Sequence, residues 1–547
     1  MTACRRVCVV VGMAVGIILG LATLLIMVAV IRAATLEDID YQELGVDTGV
    51  TEELPTWYLD TLPQLMARAL SIPTVSTDVG QYDTEQLLRF HQFLRESFPE
   101  VFNTTFIRVE VINTYSLLFT IMGKSQELQP YMLMGHMDVV PVEADKWMQD
   151  PWGGHILPDP LTGHSYIWGR GAIDNKLGVM GIIMALQYLA KTDFQPTRSF
   201  YVAFGHDEEV HGADGAGHIA KVLEARGVKL DFLLDEGLPV LDKVLTGMDV
   251  PIAMIGVTEK GYLTLNMEVE GEGGHSSIPP RNSVIARLAA AVSKLETYQQ
   301  PAMFGQGPEA DFFAYIAPKA SWPHKLVYAN LWLFKPLVQA VMAGRRDTNA
   351  LVRTTTAVTI VRAGTKENVV PTSASAVVNH RIHSSHNLED VLDYDRYIID
   401  DPTVKLNVKD GMRPLPVSPY GAEVDGWRLI TAAIHHHFPS TVTAPAHFCP
   451  SCIMETRIDQ HNLNEVSTRI MVGNTDTRYY LNMTSCIYRF EPLMLTLSDL
   501  VTIHGHNERI KVSTMGKAAS FYYHLILAAN NEVTPLLSLP GHRAGEF

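Results

Sequence analysis

Tyr131-Met-Leu-Met-Gly-His136-Met-Asp138-Val-Val-Pro141 is the stretch that decides the reading of this chain. Its apolar start predicts a buried strand. Residues two apart on a strand share a face, so His136 and Asp138 stand side by side where the strand ends. Open α/β sheets place their chemistry at that edge. One of the pair can ligate a metal while the other orients it. A lone His-x-Asp is more often ordinary polar structure; its weight comes from what surrounds it.

Working outward, the same arrangement recurs. Ile167-Trp-Gly-Arg-Gly-Ala-Ile-Asp174-Asn-Lys176 leads into an apolar helix at Gly178–Leu189, with Asp174 at the favourable end for a carboxylate. A strand at Ser199–Gly205 ends in His206-Asp207-Glu208-Glu209, and one at Val228–Leu234 ends in Asp235-Glu236-Gly237. Between them lies a helix, Gly215–Arg226. Strands alternating with helices predict an α/β fold with a largely parallel sheet. Trp147–Thr162, rich in Pro, Gly and Asp, is expected to be loop.

The pattern changes near Glu259. Tyr262–Glu270 alternates apolar and polar residues like a half-exposed strand, and Gly271-Glu-Gly-Gly-His275-Ser-Ser-Ile-Pro-Pro280 is turn-rich. Further strands (Thr354–Val361, Ala374–Ile382, Val404–Val408) and helices (Ser283–Leu295, Asn387–Ile399) predict a second, smaller α+β domain. Within it Phe312–Met342 is unusually apolar. It reads either as extra core helices or as a greasy wall for an acyl chain or a membrane-touching surface. Gly426–Phe438 is a helix ending in His435-His-His437, a run taken as a helix end and not as a ligand set.

Composition bounds the rest. The 547 residues are 47% apolar and 19% charged, as in folded chains, and suit one large α/β unit with an insertion or two to four domains. A formal charge of −16 argues against a nucleic-acid partner. Five cysteines are too few for a disulfide scaffold. Cys449-Pro-Ser-Cys452, lacking a second pair, is weak for zinc, and its pairing stays open. From Val7 to Ile31 there are 25 residues without charge, preceded by Arg5 and Arg6. That is long for a signal-peptide core and long enough to span a bilayer, with the body on the extracellular or lumenal side. Asn103-Thr-Thr105 and Asn482-Met-Thr484 are glycosylation sequons compatible with that side.

Taken together, Gly-His136-Met-Asp138-Val-Val-Pro, Gly-Arg-Gly-Ala-Ile-Asp174-Asn-Lys, Gly-His-Asp-Glu208-Glu209, Asp235-Glu-Gly, Gly-Gly-His275-Ser-Ser, Asn368-Val-Val-Pro, Gly-Asn-Thr-Asp476-Thr-Arg478 and His504-Gly-His-Asn-Glu resemble the M20 metallopeptidases over about Trp57–Asn530. Within them the match leans to the branch that hydrolyses and forms N-fatty-acyl amino acids. The resemblance implies a parallel-sheet zinc-peptidase domain (57–258 and 413–530) with an inserted ferredoxin-like lid or dimerisation domain (259–412). Before it come a signal-anchor or long signal peptide (1–34), so that the body is either anchored or secreted, and a leader or stalk (35–56); after it comes a tail (531–547). Two zinc ions are implied, Asp174 bridging them, His136 and Asp235 completing one, Glu209 and His504 the other. Asp138 would orient His136, Glu208 would be the general base and His275 the oxyanion donor, from the opposite subunit in dimeric members. Asn368, Arg381 and Arg478 would contact substrate. A fatty acid, an amino acid and their N-acyl conjugate are the expected small-molecule partners, with a homodimer and a lipid or lipoprotein surface as further ones. A dipeptidase or carboxypeptidase on the same site is the enzyme alternative, and a non-catalytic membrane-anchored homologue the other. Ala446–Val472 stands out as an atypical insertion.

Overall fold

The computed structural model describes residues 2–37, 52–159, 163–448 and 474–530. Most of the expected leader and nearly all of 446–472, with Cys449 and Cys452, lie outside the described residues, as does the tail.

The apolar N-terminus is one helix, α1 (Thr2–Ala34), and its Val10–Ala34 portion is long and apolar enough to cross a membrane. The body's strands and helices follow: β1 (Ile107–Ile112), β2 (Ser116–Ile121), β3 (Tyr131–His136), α2 (Lys176–Lys191), β4 (Phe200–Gly205), α3 (Ala216–Ala225), β5 (Leu233–Leu241) and β6 (Ile252–Glu259). After an inserted unit come α9 (Asp425–His437), β11 (Val442–Phe448), β12 (Ile487–Leu495) and α10 (Val512–Asn530). The inserted unit holds β7 (Gly261–Glu270), α4 (Val284–Thr297), α5 (Glu309–Ile316), α6 (His324–Tyr328), α7 (Leu331–Ala343), β8 (Thr355–Ala363), β9 (Ser373–Ile382), α8 (Leu388–Ile399) and β10 (Val404–Met412).

Eight strands form the main sheet in the order β11-β6-β12-β5-β3-β4-β2-β1. Its centre is parallel: β3 pairs in parallel with β4 and β5, and β5 with β12. The β1–β2 hairpin joins β4 antiparallel, and β6 runs antiparallel to β5 and β12, so the sheet is mixed. All six residues of β3 are buried because helices cover both faces, which is why the strand reads as an unbroken apolar run. Leu133 enters a core with Met180, Ile183, Phe521 and Leu525 of α2 and α10. Met132 and Met134 enter the opposite one, with Ile219 and Leu223 of α3.

The inserted unit has its own antiparallel sheet in the order β8-β9-β7-β10, with α4 and α8 on one face. A β-α-β-β-α-β path through that order is the ferredoxin-like arrangement. β7 alternates buried and half-buried residues, as its sequence period requires. The apolar Phe312–Met342 stretch splits by face. Phe313, Ile316, Tyr328, Val338 and Met342 are buried in a core shared with Ile252, Val442 and Ala444, whereas Trp322, Trp332, Leu337 and Val341 are exposed. Core packing therefore accounts for the inner side only.

One expectation is corrected. The Trp147–Thr162 region is not all loop: His155–Pro158 pairs with Ser165–Trp168, which pairs in turn with Arg509–Lys511. This small ladder clamps the segment before Asp174 against the one after His504.

Candidate metal centre and active site

His136 ends β3 and is buried. Its Nδ1 bonds the backbone carbonyl of Asp138 at 3.0 Å, while the Asp138 carboxylate lies farther off at 3.4 Å. That carboxylate accepts the backbone N–H groups of Glu208 at 3.1 Å and Glu209 at 3.3 Å. Asp138 thus fixes the turn that carries both glutamates, and its backbone orients the imidazole. With Nδ1 engaged, Nε2 is the nitrogen aimed at the site. Gly135 leaves room beneath it: a Cβ there would sit 2.7 Å from the Asn175 side chain.

Asp174 lies between two imidazoles. His136 Nε2 is 3.0 Å from its Oδ1, and His504 Nε2 is 2.6 Å from its Oδ2. The loop carrying Asp174 is held by Glu508, buried and four residues after His504. One Glu508 oxygen accepts from Arg170 Nη1 at 2.6 Å and Gly171 N at 3.0 Å, the other from Ile173 N at 2.6 Å and Asp174 N at 3.2 Å. The two sequence motifs interlock, which sets His504 against Asp174.

Glu208 and Glu209 occupy a single 3-10 turn, Glu208–Val210, and diverge. Glu209 Oε1 is 3.3 Å from His504 Nε2, and Glu208 Oε2 is 4.0 Å from His136 Nε2. Adjacent carboxylates thus serve opposite ends of the cluster. Asp235 and Glu236 were expected just after a strand, but they lie within β5. The β5–β12 register slips there: Asp235 faces Arg489 while Leu238 faces Phe490. Such a bulge re-aims side chains. Glu236 Oε2 comes to 3.3 Å from His136 Nε2. Asp235 is buried beside it, with Oδ1 accepting the Glu236 N–H at 2.9 Å and Oδ2 without a hydrogen-bond partner.

The donor set suits cations. Asp174, Glu208, Glu209, Asp235 and Glu236 face two imidazoles in a low-dielectric pocket. Burial, reinforced by neighbouring carboxylates, pushes Glu208 well above the usual range and Glu236 up to about 8. Asp235 rises to about 6, chiefly through burial. Burial opposes charge on His504, yet Glu209 and Asp174 outweigh it and raise its pKa to about 10. Glu209 Oε2 is buried without a partner, and Oε1 has only the His504 contact at 3.3 Å. Unpaired buried oxygens beside imidazoles are what hard or borderline divalent ions take as ligands. The groups His136–Asp174–Glu209 and His136–Glu208–Glu236 each bring their ligand atoms within 4.8 Å of one another.

The lid residues fall into two places. His275 is exposed, its Nδ1 2.7 Å from Ser277 Oγ, on a short ladder in which Gly274–His275 pairs with Val369–Val370. Asn368 is its neighbour, taking the Ser276 N–H on its carbonyl at 3.2 Å. None of the hydrogen bonds of His275 among the described residues reaches the carboxylate cluster. Arg381, from β9, stacks over Tyr262 at 5.5 Å, with Nη2 buried and unpartnered. Arg478 comes from the other side and donates to the His211 carbonyl at 2.5 Å. Burial lowers the pKa of His211, and the fields of Arg478 and Arg381 lower it further, so both guanidiniums act on one neighbourhood. Asn103 and Asn482 are both exposed.

Glu236 and Glu508 were not singled out from the sequence. The Asp-Glu pair was visible, but the bulge that selects Glu236 was not. Glu508 sat in plain view in the His504 motif, and only the pairing of Arg509–Lys511 with Tyr166–Trp168 explains its place.

Residues 132–528 match the peptidase family M20/M25/M40. A Xenopus tropicalis protein named N-fatty-acyl-amino acid synthase/hydrolase PM20D1 is 38% identical over 528 residues, covering 96% of each chain. A Dictyostelium discoideum protein named probable carboxypeptidase S-like 2 is 38% identical over 85% of this chain and 84% of its own. The crystal structure of human carnosine dipeptidase 1 shares the fold, with a TM-score of 0.54 at 14% identity over 90% of this chain and 98% of that one. A mixed sheet with an inserted ferredoxin-like unit, a carboxylate held between two imidazoles at the end of its central strand, and a family match across both place this chain in the peptidase family M20/M25/M40.

Proposed function

We propose that the chain is a di-zinc amidohydrolase that hydrolyses, and in reverse condenses, N-fatty-acyl amino acids. The observation that carries the reading is Asp174, whose two oxygens each meet one imidazole, beside a glutamate, Glu208, that neither imidazole binds closely. The name and near-full coverage of the Xenopus relative support the substrate class.

His136, Asp174 and Asp235 would hold one ion, and Glu209, Asp174 and His504 the other, with Glu236 placed to join the first. When bound, the metal pair acidifies a water and polarises the amide carbonyl. Glu208 takes the water's proton and returns it to the leaving nitrogen. Asp138 holds Glu208 and Glu209 by their backbone, so the base keeps its direction as it gains and loses the proton. His275 donates to the developing oxyanion. Because it lies exposed on the lid, it would be delivered by lid closure or by a second subunit of a homodimer. Arg381 or Arg478 binds the substrate carboxylate as a guanidinium fork, with Asn368 as a further polar contact. Residues 259–412 act as the lid. Condensation retraces the same path, with direction set by concentrations.

The partly buried Phe312 and Tyr315 are the proposed acyl contacts, where each buried methylene would contribute roughly 0.8 kcal/mol. The body is proposed to lie on the extracellular or lumenal side, anchored by α1, with Asn103 and Asn482 glycosylated. The end of α1 touches the body, since Asn330 Nδ2 donates to the Ala29 carbonyl at 2.9 Å. At a rise of about 1.5 Å per residue, Ala29 lies about 8 Å inside the end of α1. The exposed Trp332, Leu337 and Val341 of α7 would then rest at the lipid surface.

A dipeptidase or carboxypeptidase is the second reading, favoured by the Dictyostelium relative's name. Zinc-loaded full-length protein offered N-oleoyl amino acids and dipeptides separates the two. Release of oleate with little dipeptide cleavage is expected; the reverse preference would select the second reading.

A further inference from the structure

A second group of imidazoles stands apart from the carboxylate cluster. His436 and His437 end α9, and His524 projects from the middle of α10. The ring centroids are 4.0 Å apart for His436 and His524, 4.6 Å for His437 and His524, and 4.9 Å for His436 and His437. One ligand atom from each lies within 4.8 Å of the others. His435 of the same run turns away to Thr443 Oγ1, at 3.0 Å.

The hydrogen bonds decide which nitrogens face inward. His524 Nε2 lies 2.7 Å from the Glu52 carbonyl, which only accepts, so Nε2 carries the hydrogen and the Nδ1 of a neutral ring presents its lone pair. His437 Nε2 faces that Nδ1 at 2.5 Å. Either the hydrogen of His437 Nε2 lies between these nitrogens or a cation takes its place, and the Ser520 carbonyl lies against both rings. Three features favour a cation. A third imidazole, His436, converges on the pair. Glu53 brings a carboxylate to 2.6 Å from His436 Nε2, either as co-ligand or as the acceptor that orients the ring. The group also sits at the C-terminal end of α9, where the helix dipole favours positive charge. Lys517, over the Phe438 ring at 5.2 Å, brings an opposing positive charge near His437, and Glu53 supplies the negative one at 2.6 Å from His436.

We propose that His436, His437 and His524, with Glu53, form a binding site for a divalent transition-metal ion of the imidazole-preferring kind. The ion ties the Glu52–Glu53 segment, where the described body begins, to α9 and α10. It is separate from the catalytic pair. The buried group Glu309, His383 and His447 fails the same reasoning: Ser385 N–H donates to His383 Nδ1 at 3.2 Å, which leaves the hydrogen on the inward Nε2.

The test compares wild-type full chain with His437→Gln and with His436→Gln, whose side chain is exposed enough to spare the core. Each is dialysed against zinc, then against buffer, and metal per chain is counted by mass spectrometry. Both variants should hold about one ion fewer than wild type while keeping amide hydrolysis within about twofold. Added zinc should raise the thermal midpoint of zinc-depleted wild type more than that of His436→Gln. Equal metal content and equal midpoint shifts in wild type and His436→Gln would overturn the site and leave a proton-sharing histidine pair. The readout is a difference in metal count, so it stands whatever substrate the catalytic site takes.

Discussion

The sheet-borne cluster and the lid-borne residues are built in opposite ways. His136, Asp174, Glu208, Glu209, Glu236 and His504 come from separate parts of the chain, yet all meet within 4.0 Å of a partner. They are fixed by β3, by the Glu508 clamp and by the Asp138 bonds. His275 and Asn368 ride an exposed two-residue ladder and touch none of that cluster by hydrogen bond among the described residues. Under the proposed function, the difference separates two tasks. Holding cations of fixed geometry calls for a rigid frame, whereas gripping a substrate that must enter and leave calls for a part that moves or comes from another subunit.

The sharpest way to break this comparison is at Asp174. Asp174→Asn should lose bound metal together with activity, because one carboxylate serves both imidazoles; full metal content with lost activity would contradict the shared role. Glu208→Gln should lower kcat by about 10²- to 10⁴-fold while keeping its metal, as measured by mass spectrometry beside the assay. His275→Ala should lower kcat by about 10²- to 10³-fold with metal intact. If His275 acts across a dimer, mixing His275→Ala with Glu208→Gln chains will restore activity that neither has alone; no restoration would point to closure within one chain. The smallest effect is expected at the arginines. Loss of a charged hydrogen bond costs about 1.5–3 kcal/mol, so alanine at the carboxylate-binding arginine should raise KM by roughly 10- to 150-fold. Alanine at the other should change it far less, and this ranks Arg381 against Arg478.

The frame was legible because its physics is local. β3, β4 and α2 announce themselves by unbroken apolar runs, and β7 by strict alternation. The carboxylates were legible as short motifs after apolar strands. What stayed hidden depends on pairing between distant segments. Glu236 enters the site through a bulge of β5 against β12, and no property of Asp235-Glu236-Gly237 alone announces a register slip. Glu508 holds the Asp174 loop across more than three hundred residues of chain. Asp138 was expected to orient His136; its carbonyl makes that bond, while its carboxylate also holds the glutamates, a second task its motif does not announce. The His435-His-His437 run does end a helix, as its sequence reads; the approach of His436 and His437 to His524 on α10 depends on the packing of distant segments.

Anomalous diffraction from crystals of the zinc-loaded protein tests the central claim most directly. The account predicts two peaks flanking the Asp174 carboxylate, one on the His136 side and one on the His504 side, with Glu208 outside both ligand shells. A single peak there, or Glu208 bound to metal, would contradict it.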